Sequence, residues 1–180
     1  MADFLAYTEK FFKQNGLIND NADAKIITPI IILVQDIYLH PILGTKLFND
    51  IKAEIIAGSI STENQTLLDD YLMKVMLWYT LCECTPAFKY RYMNKNVMSK
   101  SSENSTPADL SEIKFLMDKW KNNAELYAQR TTIFLRNNTD TYPLYLTNVE
   151  PEEIRPNRNN FTAGLYLGDD DEECCPGYYD

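Results

Sequence analysis

Few residues in this sequence have the types and spacing that acid–base or nucleophilic chemistry requires. The single histidine is His40, and an imidazole can act as a general base because it titrates near neutral pH. It precedes Pro41 at a predicted helix end, however, which favours a capping or packing role. The four cysteines are Cys82, Cys84 and the adjacent pair Cys174-Cys175, without the C-x-x-C spacing of zinc and redox sites. We therefore expect reduced thiols.

Two other patterns suggest ligand binding, and each lacks part of the required motif. Five consecutive carboxylates could bind Ca²⁺ or Mg²⁺, but they lack the spaced ligands and central glycine of a calcium loop. These are Asp169, Asp170, Asp171, Glu172 and Glu173. Gly44-Thr45-Lys46 is similar to the end of a phosphate-binding loop, but the upstream glycine is missing and a helix precedes it. The sequence thus predicts no catalytic residue, no metal, no cofactor and no enzyme activity, and it predicts that the carboxylates form an acidic surface.

The elements that would position these residues are helices. Apolar residues at positions 68, 71, 72, 75, 76, 79 and 82 follow a 3.6-residue repeat. Similar patterns, with Thr-Pro and Gly signals at their ends, predict helices over 3–14, 30–39, 46–57, 64–84 and 107–136, and a polar loop over 94–106. The sequence therefore predicts an all-α bundle of about five helices, formed by residues 1–140, with an extended, acidic C-terminal arm formed by residues 141–180.

The predicted arm carries most of the net charge of −9. From Glu150 to Asp180 nine acids and two bases give −7, whereas the other 149 residues carry 17 acids and 15 bases, a net of −2. A pI near 4.6 argues against a dedicated nucleic-acid binder. Aromatic residues in a polar, extended segment can anchor a chain on a neighbour. They are Tyr142, Tyr145, Phe161, Tyr166, Tyr178 and Tyr179.

Two interpretations of these aromatic residues stay open. Tyr142 and Tyr145 either pack on the helices of their own chain or dock on a neighbouring subunit. For the residues from Phe161 onward, the sequence favours docking on a sister subunit or another protein. A second predicted contact surface is the helix from Ile30, whose residues Ile30, Ile31 and Val34 belong to a run that is apolar on more than one face.

The chain is not expected to enter a membrane. Its longest apolar stretch, residues 26–34, falls well short of the roughly 20 residues that a span needs. The N-terminal residues also lack the basic and apolar regions of a signal peptide, so a cytosolic compartment is the expectation.

Three segments together are similar to a known family. Residues 30–58 combine an apolar helix, a His-Pro step and the run Ile42-Leu43-Gly44-Thr45-Lys46-Leu47-Phe48-Asn49-Asp50-Ile51. The long helix over 67–83 follows, and then Ala124-Glu125-x-Tyr127-x-x-Arg130 with Phe134-Leu135-x-Asn137-Asn138-x-x-x-Tyr142-Pro143. This pattern, over roughly residues 1–146, resembles the helical head–tail connector proteins of tailed bacteriophages. The likeness is greatest to the ring protein beneath the portal of crAss-like phages.

The resemblance implies a structural virion protein at the head–tail interface, assembled in the host cytoplasm. Such proteins form rings, commonly of twelve copies, that contact the portal protein and other connector or tail proteins. Genomic DNA passes through their channel without specific binding, and acidic walls would favour sliding because they repel phosphate. On this basis the segment Asp169–Glu173 is a candidate channel or acidic surface. The alternative is a small cytosolic helical adaptor or regulator whose acidic tail binds a basic partner.

Overall fold

The computed structural model describes residues 6–93, 96–99, 109–147 and 150–157. In these residues the chain forms a bundle of five helices with one short β-hairpin, so the predicted all-α bundle is confirmed. The helices are α1 (Glu9–Asn15), α2 (Ala24–Leu43), α3 (Thr45–Ala57), α4 (residues 62–89) and α5 (Leu110–Asn137). The hairpin strands are β1 (Tyr90–Met93) and β2 (Asn96–Ser99), and a 3₁₀ turn covers Pro143–Tyr145.

Helix α2 begins before its predicted start. Its N-cap is Asp23, whose side chain accepts a hydrogen bond from the Lys25 N–H at 3.0 Å. A capped start at this point satisfies one of the free N–H groups of the first turn. Pro29 therefore lies inside the helix, and the predicted start at Thr28-Pro29 is wrong.

Helix α2 also continues beyond its predicted end at His40-Pro41. It consists of an α-helical part, Ala24–Val34, a wide π-helical turn, Gln35–Leu39, and a last turn, His40–Leu43. In the π turn the His40 N–H reaches back to the Gln35 carbonyl, so the regular hydrogen-bond ladder is already interrupted where Pro41 lacks its N–H. The helix ends at Gly44, which has a positive φ of 74°.

Helix α4 has the same construction. Thr62–Leu67 leads into a π turn, Leu68–Leu72, and then into Met73–Lys89, with Ser61 as the N-cap. After Lys89 the chain turns directly into the antiparallel hairpin, in which Tyr90 pairs with Ser99. Part of the predicted loop over 94–106 is therefore a strand.

Helix α4 is the centre of the bundle and packs against both α2 and α5. Tyr79 of α4 stacks on Tyr38 of α2, with ring centroids 3.9 Å apart, and Trp78 stacks on Trp120 of α5 at 5.3 Å. Consecutive helical residues point about 100° apart. Helices α2 and α5 therefore pack on different sides of α4.

The first part of the predicted arm belongs to the helical bundle. Tyr145 is fully buried, and Tyr142 is buried with its O–H donating to the Glu63 carbonyl at 2.8 Å. Phe134 of α5 meets the Tyr142 ring edge-to-face, with centroids 5.8 Å apart. The prediction that these two tyrosines dock on a neighbour is wrong, because their rings fill the core of their own chain. The helical bundle therefore includes residues after position 140, as far as Tyr145.

The remaining predictions for the arm lie outside the described residues. They concern the aromatic residues Phe161, Tyr166, Tyr178 and Tyr179 and the acidic residues Asp169, Asp170, Asp171, Glu172 and Glu173.

Candidate functional site

The corner between α2 and α3 holds the end of the described chain. The Thr45 N–H donates to the Ile154 carbonyl at 3.0 Å, and the Ile154 N–H donates to Thr45 Oγ1 at 2.9 Å. The Asn157 N–H donates to the Pro41 carbonyl at 2.8 Å. We call these three hydrogen bonds the corner clasp. They hold the last described residues, up to Asn157, against the bundle.

Gly44 and Pro156 lie in close contact beside the hydrogen bonds of the corner clasp. A Cβ at position 44 would lie 2.6 Å from Cδ of Pro156, and Gly44 has a φ that L side chains rarely adopt. The sequence-based comparison of Gly44-Thr45-Lys46 with a phosphate-binding loop therefore gives way to a structural role. The absence of a side chain at Gly44 leaves room for Pro156, and Thr45 forms hydrogen bonds with Ile154 of the same C-terminal segment.

His40 supports the corner clasp from the side. Its Nε2 lies 2.9 Å from Thr45 Oγ1, and its ring stacks on Phe48 with centroids 4.6 Å apart. Burial lowers the pKa of His40 and Lys52 lowers it further, while Asp36 raises it. A neutral imidazole can accept the Thr45 hydroxyl hydrogen while Thr45 Oγ1 accepts the Ile154 N–H. This arrangement fits the packing role expected from the sequence.

The apolar helix α2 has one buried face and one outer face. Ile31 and Val34 are completely buried, so their assignment to a subunit interface is wrong: they pack in the core of their own chain. Ile30 is half-buried at the edge of this core. Leu33 and Ile37 keep 42% and 54% of their surface exposed. With Ile30 they form what we call the α2 outer face.

A second apolar surface follows helix α5. Phe115, Leu126 and Ile133 keep 69%, 47% and 47% of their surface exposed. Spacings of eleven and seven residues put their side chains on one side of the helix, over about 27 Å of its length. We call these three residues the α5 outer face. Their alignment on one side of the helix makes this side a candidate contact surface.

The described cysteines are poor nucleophiles. Cys82 and Cys84 are free and buried, and burial raises their pKa values to about 11 and about 12, with Glu83 adding to both shifts. A thiol reacts as its thiolate, which these environments suppress. Within the described part of the chain, His, Cys, Asp and Glu side chains form no group of three or more that could hold a metal ion.

Helix α2 is long and apolar enough to cross a membrane, by length and composition alone. The core helix of a globular protein passes the same test, and residues along α2 are buried against the other helices: Ile27, Ile31, Val34, Leu39 and Leu43. The helix also contains Gln35, which is buried and accepts the Ala6 N–H through its side chain at 2.6 Å. These contacts are those of a core helix.

Comparison with known proteins gives one match. Residues 39–154 match the profile of a family of unknown function, DUF6712. The chain belongs to this family. The matched region starts at the corner and ends at Ile154, so it includes both partners of the corner clasp's Thr45–Ile154 bonds. No curated protein and no solved structure matches the chain.

Sequence reasoning missed the residues that form the two outer faces. Leu33 and Ile37 belong to the run that the sequence marks as apolar all round, so periodicity alone did not separate them from Ile31 and Val34. Phe115, Leu126 and Ile133 share one face of α5 at helical spacing, and this spacing could have identified them. The more regular apolar pattern on the buried face of the same helix was used instead.

Proposed function

We propose that this chain is a structural virion protein that forms a ring, of twelve copies, beneath the portal of a tailed bacteriophage. The ring links head to tail and extends the DNA channel, and its partners are the portal protein and other connector or tail proteins. It assembles in the host cytoplasm and becomes part of the head–tail interface. Catalysis has no part in this role.

The observation that carries the proposal is the pair of apolar outer faces on different sides of one bundle. A ring is a heterologous assembly, in which one surface of each subunit meets a different surface of the next. The α2 outer face and the α5 outer face supply two such surfaces. Packing one against the other removes apolar area from water, at roughly 25 cal/mol per Å². The sequence resemblance to ring-forming connectors supports the same assignment.

The low overall basicity also agrees with a conduit for DNA. A protein that grips DNA neutralises phosphates with Lys and Arg, whereas this chain has a net charge of −9. Repeated around a ring, this charge repels phosphate and lets a duplex slide.

A charge placed on the α2 outer face tests the proposal. The double variant Leu33→Asp with Ile37→Asp puts two carboxylates into the proposed contact, where burial without a partner is costly. We expect it to remain folded, by circular dichroism, and to lose assembly on the purified portal protein, measured by mass photometry of the mixture.

The matched control is Asn49→Asp with Ser59→Asp, which adds the same charge at two exposed polar positions. We expect it to assemble like the natural sequence. Equal assembly of both variants would exclude the α2 outer face from the ring. A natural chain that stays monomeric with the portal protein present would contradict the ring itself.

A further inference from the structure

An open groove of about 610 Å³ lies between α4 and the C-terminal half of α5. Tyr71 and Phe134 stack within its lining, with ring centroids 4.1 Å apart. Lys74 lines it from α4 and Arg130 from α5, where the guanidinium lies 5.4 Å from the centre of the Tyr127 ring. The groove thus combines an aromatic surface with one cation on each helix.

The polar groups of this groove are available for a ligand. Neither Lys74 nor Arg130 forms an ion pair with another described residue, and both side chains are exposed. Asp70 also lines the groove, so two cations and one carboxylate give it a net charge of +1 in a chain of −9. The hydroxyls of Tyr71 and Tyr127 have no hydrogen-bond partner among the described residues. These groups are donors and cations, which select carboxylates.

We propose that this groove binds the acidic segment of its own chain, Asp169–Glu173. Five consecutive carboxylates complement Lys74 and Arg130, and the segment lies in the part of the chain that follows the corner clasp. Eleven residues lie between Asn157 and Asp169, and the twelve steps from one to the other span about 40 Å in an extended chain. A domain of about 150 residues has a radius of gyration of about 15 Å. The linker is thus about as long as such a domain is wide, and the proposal requires that the path from the corner clasp to the groove be no longer than this.

Attachment to the same chain favours this occupant over a separate molecule. A short flexible linker gives its end an effective concentration in the millimolar range, which weak ion pairs need. The binding does not depend on the ring. If the ring proposal holds, binding of the segment and ring assembly compete, because Ile133 both lines the groove and belongs to the α5 outer face. The bound segment would then have to leave before a neighbouring subunit packs there.

Photo-crosslinking in the full-length protein tests the proposal. The substitution Ile133→p-benzoylphenylalanine puts a crosslinker at the groove, and residues 159–180 form one tryptic peptide because no Lys or Arg follows Arg158. We expect mass spectrometry to find this peptide crosslinked to position 133. Adding Lys74→Gln and Arg130→Gln should lower the yield at least about threefold, which corresponds to the loss of two exposed ion pairs.

The matched control is Lys114→Gln with Lys119→Gln, which removes the same charge from exposed positions of α5 that do not line the groove. It should leave the yield unchanged. A mixture of ¹⁵N-labelled and unlabelled protein distinguishes the chains, and crosslinks of mixed label would overturn the assignment to the same chain in favour of a second copy. The absence of this crosslink, or equal loss in the control, would overturn the groove as the binding site.

Discussion

At Gly44 two independent features exclude a side chain: a φ of 74° and the position of Pro156 against the backbone. Gly58 also has a positive φ, of 68°, but nothing lies within 4 Å of the place where its Cβ would be. The two glycines therefore differ both in backbone region and in contact with the segment that ends the described chain.

We predict that Gly44→Ala lowers the free energy of unfolding by about 3 kcal/mol, because the backbone region around Gly44 is almost restricted to glycine. Gly58→Ala should cost about 1 kcal/mol, since the left-handed helical region is less unfavourable for alanine. Urea denaturation of both variants measures the difference. Equal losses would contradict the placement of Gly44 in a backbone region restricted to glycine and in contact with Pro156.

We predict that His40 makes stability depend on pH. Burial lowers its pKa in the folded chain below the ordinary value of 6.5, so folding favours the neutral imidazole. This contribution is fully present above pH 6.5 and is lost as the pH falls through the lower pKa of the folded chain. The charged groups that act on it are Asp36 and Lys52. Urea midpoints between pH 7.5 and pH 5.5 should therefore fall towards acid.

The variant His40→Gln is the control, and its midpoint should change less over this interval. Because His40 is the single histidine, an NMR titration of its ring protons gives the pKa without ambiguity. A measured value at or above 6.5 would contradict the account of this side chain.

The assignment of single residues was the weakest part of what the sequence could predict. The pattern placed Ile31 and Val34 correctly on an apolar helix but could not say which of its sides the chain itself covers. Tyr142 and Tyr145 stood in a polar segment with no helical repeat, and their burial depends on contacts with α5 and with the start of α4. Contacts between residues so far apart in sequence leave no periodic signal.

At the scale of elements, helix α2 has faces with different energetic roles. Ile31→Ala should cost about 3 kcal/mol of unfolding free energy, because it leaves a cavity in a completely buried site. Leu33→Ala should lower it by only about 1 kcal/mol, since 42% of the surface of this residue is exposed. Thermal and urea unfolding of the two variants test the assignment. A comparable loss for both would mean that Leu33 is buried in solution.

The helices themselves were predictable because the 3.6-residue repeat is long and regular over α4 and α5. The ends of the helices were less predictable. Pro29 and Pro41 are strong boundary signals, yet α2 passes through both, since its capped start lies earlier and a π turn interrupts the ladder before Pro41. The hairpin after Lys89 was missed because each strand has four residues and the second strand, β2, lies in the polar stretch predicted as a loop.

At the scale of the whole molecule, the family region runs from Leu39 to Ile154 and the corner clasp lies at its two ends. The clasp holds the last described residues against the corner, and the helices that carry the two outer faces, α2 and α5, both pack on α4. Under the proposed ring, each of these faces would contact a different neighbour.

The most direct test of the central claim is the mass of the complex that the full-length protein forms with its portal protein. Native mass spectrometry should show a closed complex with twelve copies of the 20.9 kDa chain added to the portal, even if the chain alone is monomeric. A portal whose mass does not change on addition of the chain would contradict the claim.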